Sequence, residues 1–436
     1  MRKIQYYKSM GCLKKKIFIL FFSIAAFAFA DENTIELSLE DAVKSALKNN
    51  VSVKQSEISL DAKKRESDYS WNSISPSISG TGRYSKNIPS SSSDDKASLS
   101  AGISLSATLS PSVYTSAKNA ELSYSQQQLS YQNDLRSVEL DVRKNYYSLL
   151  YKIEEISLKE KSLETSKNQY ESNLAKYKRG TLSRLDVLSA QVSYQNDQLE
   201  LKSLNAEMEN SIASFKRLVG LPQETKISLS GSFENILNLK NISIEGMELN
   251  SFSVESLQKQ IDSSKNSLLA SRFTAYGPSL SASYSYNYSS IDDGGSNWDD
   301  NGTLSLQASI PLDGFLPWSN SSLNIQSKKD SVKSLELELE DAKVSLEVNI
   351  STLMNKINQC LENISLRKNS IELAQTTYEM TLESYSHGTK DLLSLQTASD
   401  NLLSAKVNLI SEAYNLICAV LDLENAAGIP FGTLEN

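Results

Sequence analysis

The chain has 436 residues, of which 22% are charged, with only 16 glycines and 8 prolines and a formal net charge of −8. This composition favours long solvated helices over a compact globule with many turns. Because an acidic surface repels phosphate groups, we expect no nucleic-acid partner.

Residues 1–30 have the organisation of a secretory signal peptide. Basic residues are followed by an apolar run from Ile17 to Phe29 and by the small-x-small sequence Ala28-Phe29-Ala30. The apolar run is shorter than the roughly 20 residues that a membrane-spanning helix needs. We therefore predict a signal peptide cleaved after Ala30, with an uncleaved anchor as the alternative.

A leading helix from Leu37 to about Trp71 and two strands over about 76–111 are the next predicted elements. The second strand alternates apolar and polar residues over Ala97–Pro111, a period of two that is typical of an extended strand with two different faces. Both a soluble sandwich and a membrane barrel satisfy this alternation, so this strand alone leaves the two open.

A long helical hairpin with its tip at Gly180 follows the strands. Apolar residues recur every seven positions back from Tyr177, a spacing that indicates helices supercoiled left-handedly around partners. We predict one arm from about Val113 to Arg179 and a returning arm from Leu182 to Leu218. Gly180 is expected in the left-handed conformation that commonly follows a helix C-terminus.

The whole series of elements is then repeated. Tyr177-Lys178-Arg179-Gly180-Thr181 recurs 208 positions later as Tyr385-Ser386-His387-Gly388-Thr389. A second leading helix from Ser253 to about Thr274 and strands over about 278–311 precede a second hairpin, which runs from about Asn324 to a tip at Gly388. We predict a first structural repeat over 31–220, a linker over 221–250 and a second repeat over 251–436.

The four strands share one pattern, with apolar residues on one parity and mainly polar residues on the other. Four strands cannot close a barrel, and an open sheet edge is not tolerated in hydrocarbon, so a membrane sheet of this kind requires several chains. The tyrosines of the third strand match an aromatic girdle at a membrane interface. The predicted lipid-facing residues are Leu99, Ile103, Leu105, Leu280, Tyr284, Tyr286, Leu304 and Leu306.

Together, these motifs resemble those of the TolC-like outer-membrane efflux proteins, or outer membrane factors. The likeness rests on Leu37-Ser38-Leu39-Glu40-Asp41-Ala42, on Tyr177-x-x-Gly180 followed by Leu185-Asp186-Val187-Leu188, and on the echo Tyr385-x-x-Gly388. It covers nearly all of the chain after residue 30, in order and in duplicate.

The resemblance implies a mainly α fold with a small membrane β part. Tandem-duplicated coiled-coil hairpins would form an α-helical barrel, and four strands per chain would contribute to a twelve-stranded transmembrane β-barrel shared by a homotrimer. The implied location is the outer membrane, in contact with its lipid, with a long periplasmic extension. The implied function is a passive exit duct for small molecules or proteins, working with a periplasmic adaptor (membrane fusion) protein and an inner-membrane transporter in efflux or type I secretion.

Members of this family close the periplasmic entrance by folding the second hairpin inward. The resemblance implies a latch in which Tyr385 and Lys390 of the second hairpin bind Asp186 of the first. The residues themselves leave an alternative open, in which Asp186 caps its helix and Tyr385 is only a coiled-coil knob. The tip residues Tyr177, Gly180 and Gly388 are expected to contact the adaptor.

The chain departs from the family pattern after the second tip. Where the family often has two aspartates ringing the entrance, this sequence has Ser394 and Thr397. Asp391 is the candidate to supply three carboxylates in a trimer instead, and helix N-capping is its alternative role.

Two cysteines remain after residue 30, Cys360 and Cys418. They lie 28 positions before and 30 after Gly388, so an antiparallel hairpin places them at similar heights. In an oxidising envelope this spacing makes them a candidate disulfide.

Two other classes of protein account for fewer of these sequence features. A structural coiled-coil envelope protein or adhesin would account for the heptads, but not for the lipid-like strands or the matching tips. An enzyme is disfavoured, because the single histidine allows no catalytic triad and no metal-ligand cluster or phosphate-binding glycine loop is present. We expect no catalytic residues, cofactor or metal.

Overall fold

The structure is a computed structural model that describes residues 35–86, 97–239, 242, 251–291 and 298–434. The predicted signal peptide, part of the predicted linker and most of the two loops between strands lie outside these residues. The first set of elements is β1 (Ile35–Leu37), α1 (Leu39–Asn49), α2 (Val51–Asp68), β2 (Ser77–Lys86), β3 (Ala97–Leu109), α3 (Ser112–Lys178) and α4 (Arg184–Val219). The second set is β4 (Ile227–Leu229), α5 (Glu234–Leu237), α6 (Phe252–Tyr276), β5 (Ser279–Ile291), β6 (Trp298–Ser309), α7 (Asn320–Ser386) and α8 (Leu392–Ala427).

The prediction of one continuous leading helix before the first strands is wrong, because the helix is interrupted at Asn50. This residue is extended, with φ −61° and ψ 135°, and ends α1. Its side-chain oxygen accepts the Ser52 N–H at 2.8 Å, which caps α2, and its amide donates to the Leu218 carbonyl at 2.8 Å. Asparagine favours such local side-chain hydrogen bonds over a helix interior, so it breaks the helix here.

The four long strands form one antiparallel sheet in the order β2-β3-β5-β6. Its register places Leu105 of β3 opposite Ile78 of β2 and Tyr284 of β5, and Tyr284 opposite Leu304 of β6. Residues opposite one another in a sheet point to the same face, so the apolar parities of all four strands coincide. Within the described residues, β2 and β6 each have one unpaired edge.

The two hairpins have matching dimensions. The ascending helices α3 and α7 each have 67 residues, about 100 Å at 1.5 Å per residue, and the returning helices α4 and α8 each have 36. Below the sheet, α3 packs against α4 and α8, and α8 packs against α7. The four helices therefore stand side by side in the order α4-α3-α8-α7, with α4 and α7 at the outer edges.

The main hydrophobic core lies where the helices are crowded, far from the hairpin tips. Tyr146 of α3, Phe215 of α4, Ile357 of α7 and Leu416 of α8 are almost fully buried there. Toward the tips the helices pack as thinner paired coils and bury fewer side chains. None of the helices in the described ranges is both long enough and apolar enough to cross a bilayer.

The C-terminal segment Ile429–Leu434 is attached to this core through a buried carboxylate. Glu424 of α8 is 0% exposed, and its two oxygens accept the backbone N–H groups of Gly432 at 3.0 Å and Leu434 at 2.8 Å. Burial raises the pKa of the Glu424 carboxyl, and the backbone donors oppose that shift. The Glu424 carboxylate thus supplies the hydrogen-bond acceptors for the backbone N–H groups of Gly432 and Leu434, which lie beyond the end of α8.

Arg136 of α3 fixes the same segment from the other side. Its guanidinium donates to the backbone carbonyl of Glu424 at 2.5 Å, to that of Ile429 and to the Asn425 side chain at 3.0 Å. It also lies over the Phe431 ring, 4.6 Å from the centroid. The planar fork of arginine suits this combination of several acceptors and an aromatic face.

The predicted disulfide between Cys360 and Cys418 is wrong, because both thiols are free. The Cys360 thiol lies beside Glu412 of α8, and burial raises its pKa to about 11. The Cys418 thiol lies beside Tyr414 of its own helix and near Lys144 of α3. Two residues at equal distances from a hairpin tip lie at the same height along the two helices. The Cys360 and Cys418 side chains nevertheless point in different directions, so their sulfur atoms are not bonded.

Candidate functional site

The two hairpin tips are built by the same hydrogen bonds. The Gly180 N–H donates to the Tyr177 carbonyl at 2.8 Å, and the Gly388 N–H donates to the Tyr385 carbonyl at 3.0 Å. Both glycines have a φ of 76°, which strains any residue with a Cβ. The threonine after each glycine donates its N–H to the carbonyl five residues earlier at 3.0 Å, completing a Schellman C-cap in both copies.

Helix capping at the tips involves two of the predicted site residues. Ser183 caps α4, and its hydroxyl both accepts the Asp186 N–H at 3.1 Å and donates to the Asp186 carboxylate at 2.6 Å. Asp391 caps α8 by accepting the Ser394 N–H at 2.9 Å, and hydrogen bonding first to the Ser394 side chain and then to its backbone lowers the pKa of the Asp391 carboxyl. Asp391 therefore has the N-capping role that the sequence left open as an alternative, whereas the cap of α4 is Ser183 and Asp186 is the residue that this cap binds.

Tyr385 contacts the first hairpin through a residue that sequence reasoning missed. Its hydroxyl donates to Asn173 Oδ1 of α3 at 2.9 Å. Asp186 lies near enough to contribute, after burial, to raising the pKa of the Tyr385 hydroxyl, but it makes its own side-chain hydrogen bond with Ser183. A signal was present, because Asn173 lies four positions before Tyr177, where the heptad pattern requires an inward and normally apolar residue.

The remaining predicted entrance residues lie at the surface of the second tip. Lys390 is exposed and forms no ion pair with any part of the chain that the structure describes. Ser394 is partly buried, and the exposed Thr397 donates its hydroxyl to the Leu393 carbonyl at 2.9 Å. The structure thus brings Tyr385 and Asp186 close together, whereas Lys390 points into solvent in the single chain.

A cavity of about 270 Å³ lies between the two hairpins, and residues of α3, α4, α7 and α8 line it. Just above it, the buried Lys159 ammonium donates to Asp197 at 3.0 Å and contacts Glu200 at 2.6 Å, both on α4. Asp400 of α8 lines the cavity with Asp197. Although Asp400 is exposed over much of its surface, lost solvation and then the charge of Asp197 raise its pKa.

Acidification is therefore expected to stabilise the contact between the hairpins at Asp400. Because its pKa is raised by folding, the folded chain binds a proton at a pH where an unfolded aspartate is still ionised, so stability rises as pH falls through the raised pKa. Asp400→Asn should be at least as stable as the parent at neutral pH and gain less on acidification to about pH 4, near the ordinary pKa of an aspartate. Thermal midpoints at the two pH values measure this, with Glu209→Gln of α4 as the control. A parent-like pH dependence in Asp400→Asn would contradict it.

The two edge helices carry exposed apolar residues near the tips. On α4, Leu185, Val192 and Leu199 recur every seven residues, and they lie 5, 12 and 19 positions beyond Gly180. We call these three residues the α4 stripe. The side chains are between 55% and 73% exposed, which is unusual for apolar residues at heptad spacing.

The matching residues of α7 are Leu366, Leu373 and Met380, here called the α7 stripe. They also recur every seven residues and lie 22, 15 and 8 positions before Gly388. All three are at least 64% exposed. Because both tips lie at the same end of the hairpins, the two stripes cover the same range of heights on opposite edges of the four-helix layer.

The sheet presents an apolar face and a polar face. All eight predicted lipid-facing residues share one face, where Leu304 and Leu306 are 70% and 73% exposed. On the other face serines are paired across strands, for example Ser79 with Ser104 at 2.7 Å between hydroxyl oxygens. Tyr288 and Trp298 stack at 4.7 Å between ring centroids near the end of the sheet that is farther from the helices.

The sequence matches the family described as outer membrane efflux protein over residues 42–221 and 244–429. The chain belongs to this family. The first matched segment ends two residues after α4, and the second contains α6 to α8. The family resemblance inferred from the sequence motifs is confirmed.

Individual relatives are distant in sequence. The outer membrane protein TolC of Escherichia coli strain K12 is 21% identical over 329 residues, which is 69% of this chain and 63% of TolC. The chain thus matches less than two thirds of the length of that relative. The Campylobacter jejuni CmeC outer membrane channel superposes with a TM-score of 0.72 at 18% identity, over 89% of this chain and 85% of CmeC.

The outer membrane protein VceC of Vibrio cholerae superposes with a TM-score of 0.68 at 13% identity, over 90% of this chain and 96% of VceC. These superpositions confirm the predicted fold, which joins duplicated helical hairpins to a small sheet. The fold has thus persisted while most side chains changed.

Proposed function

We propose that this protein is the outer-membrane channel of a tripartite efflux pump or a type I secretion system, and serves as a passive exit duct. The observation that carries the proposal is a four-stranded sheet with an exposed apolar face and, among the described residues, two unpaired edges, which continues into helical rods about 100 Å long. The described residues of a single chain do not enclose a channel. Several copies arranged in a ring would enclose a continuous tube.

The strand order supports closure by three copies. Neighbouring strands of the sheet are antiparallel throughout, so β6 of one copy can pair antiparallel with β2 of the next. Three copies give the twelve strands implied by the family resemblance, and no edge then remains open in hydrocarbon. In such a barrel the apolar face meets lipid and the serine-rich face lines water.

The helices support the same arrangement. When β6 of one copy meets β2 of the next, α7 of the first copy comes beside α4 of the second. The α7 stripe and the α4 stripe would then bury one another at matching heights, as knobs in an intermolecular coiled coil. Pairing of β6 with β2 in the membrane and packing of α7 against α4 in the periplasm would thus join the same two copies.

The periplasmic entrance of this duct lies at the hairpin tips. We propose that the second tip closes it, with Lys390 and Tyr385 near Asp186, and that Asp391 contributes one carboxylate per copy around the opening. Tyr177, Gly180 and Gly388 form the end surface available to a periplasmic adaptor. An inner-membrane transporter supplies the energy, because a duct lined with water does no work on its cargo.

Two measurements on the purified protein test the proposed function. We expect a trimer that resists heat in detergent and discrete single-channel conductance in planar lipid bilayers. A soluble monomer without conductance would overturn the proposal and favour a structural coiled-coil protein of the envelope.

The electrostatic part of the entrance closure is tested by Lys390→Glu. Reversing this charge replaces attraction to Asp186 with repulsion, and an exposed pair of this kind is worth up to about 1 kcal/mol, a factor of about five in the open-to-closed ratio. We expect the mean conductance of the isolated channel to rise, more at low salt than at high salt. Asp186→Lys should act in the same direction, and Lys202→Glu on α4 is the control. Unchanged conductance in both tip variants would remove the charge pair from the entrance.

A further inference from the structure

Asn173 is a fully buried polar residue at the contact between the two hairpins. Its side chain is 0% exposed, and its Oδ1 accepts hydrogen bonds from the Tyr385 hydroxyl at 2.9 Å and from Gln169 Nε2 at 3.0 Å. The Nδ2 group has no hydrogen-bond partner among the described residues. A buried amide with one unsatisfied end is unfavourable in a coiled-coil core, so this position is poorly explained by stability alone.

The surroundings fix both members of the contact. Gln169 lies one turn before Asn173 on α3, and its hydrogen bond sets the direction of the Asn173 side chain. Lys176 of α3 places its ammonium 5.3 Å from the centroid of the Tyr385 ring. Tyr385 lies in the last turn of α7 and therefore connects the tip of the second hairpin directly to the first.

This contact differs in chemistry from the charged pair proposed above. A phenol donating to an amide oxygen carries no net charge, so neither salt nor pH near neutrality weakens it. Asp186 is directed to Ser183 and leaves the Tyr385 hydroxyl to Asn173. The entrance thus combines a neutral, directional hydrogen bond with longer-range charge interactions.

We propose that Asn173 is the positioning residue that holds the second hairpin tip closed, through this uncharged hydrogen bond to Tyr385. The proposal rests on the channel function proposed above and assigns its closing contact to a residue inside the first hairpin. Opening the entrance then requires the Tyr385 hydroxyl to leave Asn173. Lys390 and Asp186 only bias that step.

Single-channel recording of the purified trimer tests this assignment with two variants. Tyr385→Phe removes only the hydroxyl and keeps the ring in place. Asn173→Leu removes the acceptor, and it keeps a side chain of similar size at a core position. Each is expected to raise the mean conductance severalfold, with the same increase at low and high salt.

The double variant separates a hydrogen bond from a general packing defect. Because both changes break the same contact, the double variant should conduct no more than either single variant. Gln198→Leu, an exposed position on α4 away from the face of the α4 stripe, is the control and should behave as the parent. The thermal stability of the trimer should stay near that of the parent in Tyr385→Phe.

Failure of this proposal is distinguishable from failure of the channel function. If the parent conducts and both single variants keep its conductance, Asn173 does not hold the entrance. Additive increases in the double variant would equally overturn the shared contact. A parent protein that neither forms trimers nor conducts would instead reject the channel function itself.

Discussion

Leu373→Glu is expected to abolish the trimer. Leu373 is the central residue of the α7 stripe, and in the proposed ring it lies against the α4 stripe of the next copy. Burying an apolar side chain of this size is worth about 1.5–3 kcal/mol, and an unpaired carboxylate in the same place adds a desolvation cost. The loss occurs at every interface of the ring. Electrophoresis of the unheated protein in detergent and light scattering measure it directly.

Two further variants sharpen this test. Val192→Glu changes the facing stripe and should have the same effect, whereas Gln198→Glu, an exposed position on α4, should leave the trimer intact. Combining Leu373→Glu with Val192→Lys places opposite charges at nearly the same height and should restore part of the trimer. Trimers of parental stability in both single glutamate variants would contradict the proposed contact between α7 and α4.

Glu424→Ala is expected to cause the largest loss of stability within one chain. The substitution removes the carboxylate that accepts the N–H groups of the partly buried Gly432 and the buried Leu434, and a buried N–H that loses its acceptor costs about 1–3 kcal/mol. Together they should lower the free energy of unfolding by roughly 2–5 kcal/mol and release the C-terminal segment Ile429–Leu434. The midpoint of thermal unfolding and the rate of proteolytic removal of this segment measure the two effects.

The contribution of the carboxylate is separated from that of side-chain volume by Glu424→Gln. Glutamine has the same size and keeps one acceptor oxygen, so it should lose about half as much stability as alanine. Glu209→Ala on the exposed surface of α4 is the control. A C-terminal segment that stays protected from proteolysis in Glu424→Ala would show that Arg136 alone is sufficient to hold it.

The periodic patterns of the sequence determined the architecture. A period of two gave the strands and their apolar face, and the register of the sheet places Leu99, Tyr284 and Leu304 on that face. A period of seven, together with the two tip glycines, gave both hairpins to within about four residues of their observed ends. These features follow from local backbone geometry, which repeats at fixed intervals along the chain.

Some contacts were decided only by the tertiary structure. The spacing of Cys360 and Cys418 fixed their heights but not their directions. The family resemblance implied Asp186 as the partner of Tyr385, whereas Asn173 receives its hydrogen bond. A heptad assigns a residue to the inner side of a coil. The heptad does not determine which of two neighbouring helices the side chain contacts, because that depends on the rotation of each helix. It also does not determine which polar group within reach forms the hydrogen bond, because local partners such as Ser183 compete for it.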